Sequence, residues 1–95
     1  MRLDIAHRAR LDLRNIARYS REQWGAANKA RYMAAIRLRM PGLLRQPGAG
    51  VARDDLAAGL RCVPVGRHVI YYRIAEGRIA VIRVLHQRMD AKRHF

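Results

Sequence analysis

Arg67, Tyr71, Arg73 and His86 are side chains of the types from which in-line RNA cleavage is assembled. That reaction needs a base for the 2′-hydroxyl, a cation for the phosphate and an acid for the leaving oxygen. The strand pairing set out below lets the four share one sheet face, although Tyr71 also alternates with apolar neighbours as a packing residue does. Other chemistries find less support. The acids Asp4, Asp12, Glu22, Asp54, Asp55, Glu76 and Asp90 are scattered over helix, turn and cap positions, so no carboxylate pair is set up for general acid–base work. His7, His68, His86 and His94 show no ligand spacing on a shared helix or loop, and there is no Gly-rich phosphate loop. No metal and no cofactor is expected.

The run VIRVLHQRMD, residues 81–90, sets Arg83 inside an apolar strand and ends it with His86, Arg88 and Asp90. A period of two puts Val81, Arg83 and Leu85 on one face and Ile82, Val84 and His86 on the other. Arg83 and His86 therefore diverge unless a bulge intervenes. Arg83 also has a plainer use, an ion pair with Asp90 or a sheet neighbour, and His86 a plainer one as a hydrogen-bonded strand end. Arg88, Lys92, Arg93 and Phe95 make a basic tail that is either frayed or a contact surface for a target. Binding is the expectation. Histidine, tyrosine and arginine tips gathered round a phosphate-sized hollow would instead favour a nuclease.

Several elements must position these groups. Met1, Leu3 and Ile5 alternate with Arg2 and Asp4, which predicts a short strand. Ala9, Leu13, Ile16, Ala17, Ser20 and Trp24 fall on one side of a helix whose adjacent side carries Arg10, Arg14, Arg18 and Arg21, and Gly25 stops it. A second helix runs from Ala26 to Met40, with Pro41 ending or kinking it, so the two are antiparallel neighbours. Apolar side chains of this helix, from Tyr32, Met33, Ile36 and Met40 round to Ala30 and Ala34, cover an arc of roughly 200°, wider than the ~100° that faces one core. The excess is either a docking groove or a helix wedged between its partner and the sheet.

RQPGAG, residues 45–50, reads as a linker, and Asp54 or Asp55 as the cap of a short turn. Three strands follow, over 60–66, 67–74 and 78–86, with Pro64 confining the first to an edge or a bulge. With Glu76 and Gly77 as the turn of the last hairpin, Ile74 faces Ile79, Tyr72 faces Val81 and Arg67 faces His86; a different loop length shifts this by a residue. The fold class is α+β: an N-terminal strand, an antiparallel helical hairpin, then a three-stranded antiparallel sheet, in one domain over residues 1–95.

Lys and Arg number 20 against 7 Asp and Glu, a formal charge of +13, so the partner should be acidic: nucleic acid, an anionic membrane or an acidic protein. All the basic residues but Lys29 and Lys92 are Arg, as suits bidentate contacts to carboxylate or phosphate. Cys62 is the one cysteine, which points to a reducing compartment, and no apolar run approaches the ~18 residues of a membrane span.

GLRCVPVGRHVIYYRI (59–74) followed by RVLHQRMD (83–90) resembles the ParE toxins of the RelE/ParE superfamily, and the order of elements extends the likeness over the whole chain. The resemblance implies a RelE/ParE-like fold and a cytoplasmic toxin of a type II toxin–antitoxin pair, not an enzyme, that inhibits DNA gyrase by binding. It implies an acidic ParD-like antitoxin as partner in a hetero-oligomer, contact with DNA only through antitoxin or gyrase, and none with membrane. Target binding is expected at Arg83, His86, Arg88, Arg93 and Phe95, and antitoxin binding at Trp24, Tyr32 and Ile36. The alternative is a ribosome-dependent mRNA endonuclease of RelE type, although the lysine cluster and C-terminal tyrosine of those nucleases are lacking.

Overall fold

Leu3 and Ile5 turn inward from strand β1 (Arg2–Ile5) in the computed structural model, which describes residues 1–95. Helical hydrogen bonding then runs over His7–Arg45 with one break, at Gly25, whose φ of 83° and ψ of 168° lie in a region open essentially to glycine alone. A straight helix of these 39 residues would be ~58 Å long, yet the molecule's longest dimension is 38 Å. The chain therefore doubles back at Gly25 into two helices, α1 (7–24) and α2 (26–45). Ala9, Leu13 and Ile16 of α1 share one core with Met33, Ile36, Met40 and Leu43 of α2.

Pro41 does not end α2. The buried Leu43 and half-buried Leu44 carry the apolar stripe one further turn, and their packing outweighs the hydrogen bond that proline cannot make. The linker beyond is held by Tyr72, whose hydroxyl donates to the Pro47 carbonyl at 2.7 Å and accepts from the Gly50 N–H at 2.8 Å. So anchored, the chain adds a two-residue strand that the sequence did not announce, β2 (Val51–Ala52).

β3 (Leu60–Val65), β4 (His68–Ala75) and β5 (Arg78–His86) complete a five-stranded sheet in the order β1-β5-β4-β3-β2, parallel only between β1 and β5. Pro64 lies beyond the reach of β2, which pairs only with Arg61 and Cys62, so the proline has an open outer edge as expected. The last hairpin pairs Ile74 with Ile79 and Tyr72 with Val81, as the turn length predicts. Ile82 is then an extra residue in β5, a β-bulge, and the register moves by one: His68 faces His86, where Arg67 was expected.

The helices cover one face of the sheet, over Val63, Ile70, Tyr72, Ile79, Val81 and Val84. On the other face Leu60, Tyr71 and Leu85 form a small second cluster. The C-terminal 3-10 turn Ala91–His94 and Phe95 close over it, with the Phe95 ring 5.1 Å from that of Tyr71. The tail is thus packed.

Candidate functional site

β5 loses its neighbour at Val81, where β1 ends, and its next backbone donors would be orphaned. Asp12 of α1 fills the gap: Oδ2 accepts from the Val84 N–H at 3.0 Å, while the two carboxylate oxygens take Nε and Nη2 of Arg83 at 2.8 and 2.9 Å. Both side chains are almost wholly buried, and the pairing holds the guanidinium in its charged form. Removing Asp12 would strand a buried charge, at a cost of about 3–5 kcal/mol. Arg83 therefore pairs with neither Asp90, which meets Arg93 at 3.9 Å, nor a sheet neighbour. Its guanidinium is committed to α1 and unavailable to a target.

His86 stands at the open end of the same strand. Its Nδ1 accepts from the Arg88 N–H at 3.1 Å, and its ring meets that of His68 edge-on at 5.2 Å. His68 is 8% exposed and its Nδ1 hydrogen-bonds the Tyr32 hydroxyl, which in turn accepts from the Arg67 N–H at 3.0 Å. Burial, and then the charge of His86, push the His68 pKa down to about 4, so the ring is neutral at pH 7. The Arg67 guanidinium lies 5.6 Å from the centre of the Trp24 ring, which Tyr32 and Tyr19 meet edge-on at 5.9 and 6.3 Å.

Tyr19, Trp24, Arg67, His68, His86 and Arg88 thereby line a hollow of about 290 Å³ at the tip of the helical hairpin. Arg83 and His86 also both line one smaller cavity of about 210 Å³ beside Asp12; the bulge at Ile82 precedes both and does not intervene between them, and it is the reach of the guanidinium to Asp12 that brings Arg83 there.

Tautomers decide what the hollow can do. A backbone N–H only donates, so the Nδ1 of neutral His86 is an acceptor and the ring proton sits on Nε2. The Tyr32 hydroxyl accepts from the Arg67 N–H and is hydrogen-bonded to His68 Nδ1, which ties that ring to α2. The His86 N–H and two guanidiniums therefore stand among the groups that line the hollow.

Of the four residues considered for cleavage, Arg67 and His86 reach the hollow. Tyr71 does not: it is buried on the opposite face, as a packing residue, with its pKa raised by that burial. Arg73 sits further along β4, between Leu60 and Ala80. His68 and Tyr19 were missed as members, and for His68 the signal was the bulge, which moves it opposite His86.

Among the expected antitoxin contacts, Trp24 is 37% exposed and Tyr32 half-buried, both beside the hollow, but Ile36 is 0% exposed and belongs to the core. The surplus apolar arc of α2 lies elsewhere. Ala30, Ala34 and the exposed Leu38 form, with Ala17 of α1, a groove of about 530 Å³ flanked by Lys29 and Arg37. Arg88 and Arg93 project into solvent from the tail, whose Asp90 accepts from the Lys92 N–H at 3.2 Å. No helix is long and apolar enough to cross a membrane.

Residues 3–91 match the family described as ParE toxin of type II toxin–antitoxin system, parDE. The chain belongs to the ParE toxin family. It is 37% identical over 90 residues to Toxin ParE1 of Caulobacter vibrioides, covering 95% of this chain and 93% of that one. Toxin ParE of Escherichia coli is 35% identical over 83 residues, 86% of this chain and 81% of its own. Toxin ParE1 of Mycobacterium tuberculosis is 35% identical over 74 residues, with 77% and 76% covered. Among solved structures, one titled "Chromosomal ParDE TA system from P. aeruginosa" superposes with a TM-score of 0.80 at 18% identity over 90% of this chain and 95% of that one, a likeness of fold. In this ParE-family chain the helical hairpin supplies Tyr19 and Trp24 to the hollow, and the sheet supplies the histidines.

Proposed function

We propose that this chain is the toxin of a cytoplasmic pair, that it inhibits DNA gyrase by binding and without breaking bonds, and that an acidic ParD-like antitoxin holds it in check. The family gives the class of protein. The observation that carries the non-catalytic reading is the fixed Nδ1 of His86, which makes the exposed side of that ring a donor and not a general base. Target contact falls to His86, Arg88, Arg93 and Phe95 at the end of β5 and the tail. Arg83 serves by clamping that end to α1. The antitoxin lays an apolar, acidic segment along the Ala17–Ala34–Leu38 groove toward Trp24 and Tyr32, in a hetero-oligomer, gaining about 25 cal/mol per Å² of apolar area covered before ordering costs. DNA is then reached through gyrase or the antitoxin.

A RelE-type nuclease is the second reading, favoured by the convergence of Arg67, His68, His86 and Arg88 on one hollow. Purified chain added in parallel to gyrase–DNA and translation reactions separates the two. Accumulated gyrase-cleaved DNA with intact mRNA is the expected result. Fragmented mRNA without cleaved DNA, abolished by His86→Phe, would establish the nuclease instead.

A further inference from the structure

The hollow at the hairpin tip shares His86 and Arg88 with the proposed gyrase contact, but its full composition has a chemistry that protein binding alone does not require. Arg67 and Arg88 flank it, His86 keeps an Nε2–H free, and no carboxylate lines it. Its charged side chains are donors only, and with the Gln87 amide and the Tyr19 hydroxyl able to donate as well, the pattern fits an oxyanion with several acceptor oxygens. Beside these donors stand the exposed rings of Tyr19 and Trp24. Trp24 already carries a flat guanidinium near its face, so the ring is placed to take a planar group.

We propose that the hollow is a direct binding site for single-stranded nucleic acid, seating one backbone phosphate between Arg67, Arg88 and His86 with the adjoining base stacked on Trp24 or Tyr19. A nucleotide unit presents an oxyanion and a flat ring side by side, which is the juxtaposition the site offers. An acidic side chain supplies the anion without the ring. A duplex keeps its bases stacked inside and could bring only phosphates to the rim, so an unpaired strand is required. The net charge of +13 adds long-range attraction for any polyanion, but only the local pairing of donors and rings selects this one. The site does not depend on the identity of the protein target.

Trp24 is the one tryptophan, so its fluorescence reads the site directly. The purified toxin is titrated with oligothymidylate and oligouridylate of about eight nucleotides. Saturable quenching by either supports the site, and the tighter of the two assigns the sugar. Arg67→Ala with Arg88→Ala should weaken binding about tenfold and lower the salt slope by about 0.7, the share of one phosphate on a single strand. Both residues are exposed, so the fold is not at stake, and His86→Phe, which keeps a ring and deletes the donor, should weaken binding to a lesser degree. Arg14→Ala with Arg18→Ala, on the outer side of α1, should leave the local affinity unchanged. Equal loss in that control pair would overturn the proposal. So would duplex DNA of the same length, or an acidic peptide of equal charge, quenching Trp24 as tightly as the single strand. These measurements contain no gyrase, so their failure is distinct from failure of the gyrase reading.

Discussion

His68 shows how one residue joins the fold to the site. It is buried between Tyr32 of α2 and His86 of β5, and its pKa falls from 6.5 to about 4, first through burial and then through the charge of its neighbour. An unfolded chain would take up the proton near pH 6.5, well before the folded one. The stabilisation is therefore complete above about pH 6.5 and is lost as the pH falls toward 4. Over that interval the loss attributable to His68 should be about 3 kcal/mol. Urea unfolding from pH 7 to pH 4 would measure it as the difference between wild type and His68→Gln, and parallel curves would exclude the effect. At this scale the sequence was partly legible. The exposed Arg88 and Arg93 and the packing of Tyr71 followed from alternation and charge. Asp12 could not be read as the partner of Arg83, because the pair spans 71 residues and no local pattern encodes it. Ile36 was misassigned for a related reason: periodicity gives a helix two apolar sides but does not say which one the core takes.

Gly25 holds the hairpin together by its backbone alone. Its φ and ψ lie where a Cβ is strained in any surroundings, yet a Cβ built there meets nothing within 4 Å. Gly25→Ala should therefore destabilise the chain by about 2 kcal/mol through strain, without any clash. The hollow should loosen with it, since Trp24 directly precedes the glycine. Thermal unfolding together with the Trp24 emission maximum would test both effects, and an unchanged melting temperature would mean that the turn adapts freely. The elements themselves were legible: the N-terminal strand, both helices, the three later strands and two of three expected cross-strand pairs stand as the apolar periods predict. The remainder was not. A bulge such as Ile82 leaves the hydrophobic pattern intact while moving the register, and a two-residue strand such as β2 is too short to carry a period.

At the scale of the molecule, charge and groove act on different steps of association. The net charge of +13 is spread over the surface, with Arg10, Arg14, Arg18 and Arg21 along the exposed side of α1, so it acts at a distance and is screened by salt. The Ala17–Ala34–Leu38 groove is short-ranged and mostly apolar. An acidic partner should thus be captured through the first and retained through the second. Raising salt from about 0.05 to 0.5 M should slow association with the antitoxin by about tenfold or more and change dissociation little. Ala34→Glu with Leu38→Glu should do the reverse for the most part, speeding dissociation about tenfold or more by placing carboxylates where apolar surface is covered. Both positions are exposed in the free chain, so the fold should tolerate the change. Stopped-flow mixing with the acidic partner at the two salt concentrations reads both rates. If the glutamates left dissociation untouched, the groove would be empty in the complex, and the partner would have to be held by the hollow and the sheet edge instead.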